Sequence, residues 1–166
     1  GVIASMFTLA YGVFQLVYGP LGDRIGRIRV VVVALFLAAA CSVGCALSGS
    51  LATLALFRFL TGMTTAAVIP LGMTFVADRV PFENRQAVLG RFISGVLLGQ
   101  SFGPLLGGVF IDTVGWRGAF AVLALCYGLM GALLVSRARA EPRPEPRNLH
   151  VLAEYLELLR SPWMRR

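Results

Sequence analysis

The sequence predicts an all-α fold, a polytopic bundle of five transmembrane helices followed by a linker that carries one short helix. Three observations predict it. Of the 166 residues, 57% are hydrophobic and only 14% are charged, whereas a soluble domain carries roughly 25% charged residues; the mean hydropathy is +0.78. The apolar residues fall into five runs, at 1–18, 30–47, 51–77, 87–111 and 118–135, each near the ~20 residues that a spanning helix needs. The runs also lack strand alternation. Hydrocarbon admits only helices and closed barrels, because no water is there to bond an exposed peptide group.

The first run, 1–18, has no basic leader and no cleavage site, so it reads as a span rather than a signal. It opens on Gly1, not on methionine, which suggests that the chain begins inside a longer protein. The connector that follows is Gly19-Pro20-Leu21-Gly22-Asp23-Arg24-Ile25-Gly26-Arg27-Ile28-Arg29. Pro20 fits a helix end, since it breaks the hydrogen-bond ladder behind it. Gly22 and Gly26 suit a tight reversal because they take backbone angles that other residues avoid. Asp23 stands where Arg24, Arg27 and Arg29 can pin its carboxylate. The run 30–47 ends at the uncharged connector Ser48-Gly49-Ser50, and 51–77 follows, with Pro70 expected to bend it and free the Ala66 carbonyl. The run 87–111 leads through a connector at 112–117 into the last span, 118–135.

The connectors fix an orientation. All 15 basic residues are arginines. Arg24, Arg27, Arg29, Arg79, Arg85, Arg91, Arg137, Arg139, Arg143, Arg147, Arg160, Arg165 and Arg166 fall on one side, and Arg117 alone on the other. The arginine-rich side is therefore cytoplasmic. The same segregation accounts for the net charge of +7 and a pI near 10.4 without nucleic acid as a partner. The first span must then run inward, which implies a further helix before Gly1. Residues 137–166 read as a cytoplasmic linker. Its stretch 141–147 alternates proline with charge and should be extended, and Leu149, Leu152, Leu156 and Leu159 recur at the spacing of an amphipathic helix over about 149–160.

Few side chains in the runs offer chemistry. Cys41, Cys45 and Cys126 all lie in apolar stretches and read as packing residues, with no disulfide, metal site or cofactor implied. Arg58 is the one charge inside a span. It sits roughly 9 Å from the middle of its run at ~1.5 Å per residue, so it either snorkels to the outer interface or faces a cavity. Thr61, Thr64 and Thr65 either line that cavity or satisfy backbone carbonyls. Gln100 needs a partner or water in lipid. Gly95, Gly99, Gly103 and Gly107, followed by Gly108, recur every four residues, a stripe that lets another helix approach closely; Pro104 within it should bend the helix over the Gln100 carbonyl.

Several of these motifs resemble those of the major facilitator superfamily. Gly19, Leu21, Asp23, Arg24, Gly26 and Arg27 fall on its signature loop, G-x-L-a-D-r-x-G-r-k-x-x-l, with Ile28 in place of a basic residue and Arg29 supplying that charge one place later. Arg58-x-x-Thr61-Gly62 resembles its fourth-helix pattern, with Thr61 where glutamine is usual. Gly99-x-x-x-Gly103-Pro104-x-x-Gly107-Gly108 resembles the fifth-helix motif of its exporters. Asp78, Pro81, Glu83 and Arg85 resemble the loop after the fourth helix, where Asp78 can pair with Arg27 or Arg24, and Trp116-Arg117 resembles the pair that opens the sixth. The resemblance implies helices two to six of an N-terminal half, lacking the first helix and the C-terminal half. It implies a gate at Gly19, Asp23, Arg24, Gly26, Arg27, Asp78 and Arg85, and a cavity or coupling role for Arg58, Thr61 and Gly62; Gln100 takes a cavity-facing reading from its polarity near the centre of its run. It further implies proton-coupled efflux of drugs or metabolites by alternating access, with the lipid bilayer, a small solute and protons as partners; the all-arginine usage points to a bacterial source and so to its inner membrane. An uptake symporter and a non-transporting scaffold or sensor are the alternatives on the same fold. An intramembrane protease is disfavoured: His150, the one histidine, lies in the tail, and Asp23, Asp78 and Asp112 all lie at run ends.

Overall fold

A computed structural model describes residues 2–141. The expected linker helix at 149–160 and His150 lie outside the described residues. Five helices follow in order: α1 (Val2–Ile25), α2 (Arg27–Leu47), α3 (Leu51–Thr65), α4 (Val68–Arg79) and α5 (Phe82–Ala140). Among the described residues, four continuous helical stretches are long and apolar enough to cross a membrane, with α3 and α4 counting as one, Leu51–Arg79. Leu16, Leu47, Leu133 and many other large apolar side chains are exposed, a surface that lipid rather than water would solvate.

Helix α5 has 59 residues, which at ~1.5 Å each would reach about 88 Å, roughly three hydrocarbon thicknesses. It is two helices joined at Gly115, whose φ of 75° and ψ of 166° are not helical. The first arm, 82–114, and the second arm, 116–140, are each of spanning length. The expected connector at 112–117 is thus not a loop. A single glycine in a conformation that L side chains rarely adopt makes the whole reversal. Helix continues through Pro104, and Gly115 is the non-helical residue inside α5.

The first reversal is also tighter than expected. Helix α1 runs through Pro20 to Ile25, because a proline deletes one ladder bond without obliging the chain to turn. Gly26 alone makes the turn, at φ 108° and ψ 132°. Gly22 stays helical and serves packing instead, since a Cβ there would collide with the Leu71 side chain of α4. The break before Pro70 does occur: α3 stops at Thr65 and α4 starts at Val68.

Helix α2 is the centre of the bundle. Val30, Val31, Ala34 and Leu35 bury against Ala67 and Leu71, with Tyr18, Leu21, Tyr127 and Leu134 packed around them. Nearer the start of α2, Ile28 and Val32 bury with Ala138 beneath Phe75 and Val135. Small residues let the helices close up. A Cβ on Gly44 would meet the Phe57 ring at 2.5 Å, and one on Gly131 would meet Phe36 at 3.3 Å. A Cβ on Gly62 would strike the backbone carbonyl of Phe7. Cys45 is buried, Cys41 part-buried and Cys126 exposed, all as free thiols.

Candidate functional site

The signature turn is built by Arg27. It is the first residue of α2, so its side chain leaves the helix at the end where α1 has just stopped. Its Nη2 and Nε donate to Asp23 Oδ1 at 3.0 and 3.4 Å, one helical turn back across Gly26. Its Nη1 donates to the Thr74 carbonyl at 2.8 Å and also to Asp78 Oδ2. One guanidinium thereby ties α1 and α2 to the last turn of α4. The planar fork of arginine suits this work, since its donors diverge in fixed directions. Arg27 is 21% exposed, against 49% and 60% for Asp23 and Asp78, so the cation is held and the carboxylates stay wetted.

Other expected members of the cluster lie apart from it. Arg24 is exposed, and Asp78 pairs with Arg27 rather than with it. Arg29 turns to the end of α5, where its Nε donates to the Ala138 carbonyl at 3.2 Å and its Nη2 to the Glu141 carbonyl. Arg85 lays its guanidinium 5.8 Å from the Phe82 ring centre, with a buried Nε that has no hydrogen-bond partner among the described residues. Gly19 has open space on its Cβ side.

A second feature lies at the other end of the bundle. A cleft of about 560 Å³ is lined by Ile3, Ala4, Leu51, Arg58, Gly107, Ile111, Trp116, Ala119, Phe120 and Leu123. Arg58 is its charged residue. The guanidinium lies 4.5 Å from the ring centre of Phe7 and 5.7 Å from that of Phe120, so two aromatic faces hold the cation by their quadrupoles. The cleft therefore combines apolar walls with one positive charge. Thr61, Thr64 and Thr65 do not line it. Each is buried, and each hydroxyl bonds a carbonyl of its own helix, Thr61 to Phe57 at 2.7 Å, Thr64 to Thr61 at 3.0 Å and Thr65 to Thr61 at 2.8 Å. Gly62 serves the close approach of α1. Gln100 is exposed on the first arm. Gly99, Gly103, Gly107 and Gly108 have nothing within 4 Å of where a Cβ would stand, so the stripe meets no neighbour among the described residues.

Sequence reasoning missed several contributors. Phe7 and Phe120 gave no signal beyond apolarity, and the Thr74 carbonyl gave none at all. The Ser50–Thr53 capping box that starts α3 was legible from Ser50 standing before an apolar run. Two further missed contacts join α2 to the second arm of α5. The Glu141 carboxylate accepts from the Ile28 and Arg29 amides, both at 3.3 Å, and Arg117 Nη2 donates to the Ser48 carbonyl at 3.0 Å.

Comparison with known proteins agrees with these motifs. Residues 1–165 match the family model of the Major Facilitator Superfamily. The chain is similar to the efflux pump radE of Floropilus chiversii, 34% identical across 81% of this chain and 26% of that protein. It is similar to the inner membrane transport protein YnfM of Escherichia coli, 33% identical across 84% of this chain and 33% of that one. A probable actinorhodin transporter of Streptomyces coelicolor is 32% identical across 84% of this chain and 25% of its own length. The chain thus spans about a quarter to a third of these relatives.

Proposed function

The chain belongs to the Major Facilitator Superfamily, a family of membrane transporters and not of enzymes, and on that premise we propose that it is helices two to six of a transporter that exports a small solute by alternating access. The observation that carries the reading is the Arg27 clamp. It binds α1, α2 and α4 together at the arginine-rich end, while an apolar cleft with one cation opens at the other. A bundle tied at one end and open at the other suits a half that rocks against a second half about a central site. The five spans run with the arginine-rich end in the cytoplasm of a bacterial inner membrane.

In this reading Asp23, Gly26, Arg27 and Asp78 form the clamp of the gate, and Gly19, Arg24 and Arg85, which stand apart from that clamp, belong to the gate by the resemblance alone. Arg58 attracts the solute or relays its exchange for protons, and Gln100 faces the water-filled path. Thr61 and Gly62 act indirectly, by setting the position of Arg58 one turn away. Gly99, Gly103, Pro104, Gly107 and Gly108 receive a helix of the other half. Efflux is favoured over uptake by relatives whose names are those of an efflux pump and, in Yarrowia lipolytica, a citrate exporter.

The test is solute accumulation in everted vesicles from cells that make the full-length protein, with a panel of organic cations and organic acids and an imposed proton gradient. The reading expects gradient-dependent accumulation of at least one probe, lost in Arg58→Ala. Equal fluxes in wild-type, Arg58→Ala and empty vesicles across the whole panel overturn it.

A further inference from the structure

The second arm of α5 carries two charges that oppose the dipole at its own ends, although Arg137 and Arg139 in its last turn suit it. Arg117 stands in its first turn and Glu141 directly follows its last residue. A helix N-terminus is electropositive and a C-terminus electronegative, so each charge disfavours the arm that bears it. Helix α2 shows the complementary lack. Its N-cap Gly26 has no side chain to bond the first amides, its first turn contains no acid, and its last turn contains no base. Arg27 and Arg29 in that first turn make its positive end more positive still.

The two helices run antiparallel and are packed along their length, through Ile28, Val32 and Ala138 near one end and Phe36 against Gly131 further along. We propose that Arg117 and Glu141 are positioning residues for α2, one at each of its ends, and that the last span thereby sets where the signature turn stands. At the turn, the Glu141 carboxylate takes the Ile28 and Arg29 amides, two of the four donors that a helix start leaves unbonded. Arg29 answers in kind by donating to the Ala138 and Glu141 carbonyls, the matching orphans at the end of α5. The contact is a reciprocal cap, each helix closing the other. At the opposite end Arg117 donates to the Ser48 carbonyl just past α2.

Gly26 is fitted to this arrangement twice over. Its φ of 108° makes the turn, and a Cβ there would stand 2.7 Å from Glu141 Oε2. The carboxylate occupies the space that the glycine leaves. Since Arg27 is the residue between Gly26 and the two capped amides, the seat of Glu141 on α2 also sets where the Arg27 guanidinium meets Asp78. The proposal goes beyond transport and does not depend on it.

The experiment uses the full-length protein in lipid nanodiscs, with hydrogen exchange at the Ile28 and Arg29 amides and the unfolding temperature as readouts. First-turn amides without a cap exchange freely, so slow exchange in the wild type is the signature of the cap. Glu141→Ala should speed both amides by about tenfold or more, and Glu141→Asp should keep most of the protection. Charge reversal separates a helix-end role from an ordinary ion pair. An Arg29–Glu141 ion pair would be rescued by Arg29→Glu with Glu141→Arg, whereas a cap would not, because an arginine would then face donors. At the other end Arg117→Lys should hold the wild-type unfolding temperature, and Arg117→Glu should lower it more than Arg117→Ala. Fast exchange at both amides in the wild type, rescue by the swap, or Arg117→Glu no worse than Arg117→Ala would each overturn the proposal.

Discussion

Replacing Arg27 with alanine removes one cation from between two carboxylates and a carbonyl, and the structure sets the size of the effect. Asp23 and Asp78 are 49% and 60% exposed, so each pair is screened and contributes ~0.2–1 kcal/mol. The bond to the Thr74 carbonyl adds ~0.5–1.5 kcal/mol. The sum is about 1–3.5 kcal/mol, with no large penalty for the stranded carboxylates because both can rehydrate. Asp23→Asn and Asp78→Asn should each cost under about 1 kcal/mol, and neither should cost anything further in the Arg27→Ala background, since the three groups share one interaction. Unfolding of the purified full-length protein can be followed by a thiol-reactive fluorophore on Cys45, which is wholly buried, after Cys41→Ala and Cys126→Ala. Transport should fall further than stability. A gate latch spends its energy in one state of the cycle, so a small static loss shifts the balance of states and lowers turnover severalfold. Additive losses for Arg27→Ala and Asp78→Asn would refute the shared clamp. Wild-type turnover in Arg27→Ala would leave the clamp as a fold contact only.

Further outcomes follow from the same geometry. Gly26→Ala should destabilise the full-length protein by at least ~1–2 kcal/mol from the left-handed backbone alone, with more from the collision with Glu141, measured by the same thiol assay. Gly62→Ala should separate α1 from α3, since both sides of that contact are backbone, and so disturb the stacking of Arg58 on Phe7; the check is loss of solute accumulation in everted vesicles. A cysteine at Ser50 should label from outside the cell and one at Asn84 only after the membrane is opened; outside labelling at Asn84 would reverse the orientation. Residues 1–166 alone, purified and reconstituted, should show no saturable gradient-driven uptake, because alternating access needs an opposing half. Gly103→Leu and Pro104→Ala should insert normally yet uncouple flux from the proton gradient, and tight coupling in both would reduce the stripe to packing.

The membrane class and the helical runs were legible because composition and run length depend on single residues and their neighbours. A pairing of Asp78 with Arg27 or Arg24 was legible because opposite charges in two connectors on the same side have few other partners, and the structure selects Arg27. Helix ends were less so. Pro20 and the stretch 112–117 read as breaks, yet the chain turns at Gly26 and Gly115 alone, since a positive φ at one glycine suffices and sequence does not say which glycine will take it. Arg29 was counted with the Asp23 cluster, but it lies two places past Arg27 and so points away from that side of α2, toward the last span. The threonines were ambiguous in sequence and are settled locally by the carbonyls one turn behind them. The cap by Glu141 did leave a trace, an acid just past a helix end whose last turn already holds Arg137 and Arg139, but reading it requires knowing which antiparallel neighbour stands beside it.

The glycines divide by what surrounds them. Gly22, Gly26, Gly44, Gly62, Gly72 and Gly131 each face a side chain or backbone that a Cβ would crowd, so their cost is offset by contacts inside this chain. In the first arm of α5, Gly90, Gly95, Gly99, Gly103, Gly107 and Gly108 face nothing within 4 Å. A glycine in a helix costs roughly 0.5–1 kcal/mol against alanine, so six of them amount to about 3–6 kcal/mol that no contact among the described residues repays. Lipid does not demand them, for an alanine meets acyl chains equally well. Spacing by four argues against chance, because Gly95, Gly99, Gly103 and Gly107 drift only ~40° per step around the helix and stay on one face. What such a face gains is a helix seated against bare backbone, at a distance that a single methyl group would forbid. The stripe is therefore an expectation about a partner helix outside the described residues, and Gly103→Leu, which fills the groove at its middle, is where that expectation fails or holds.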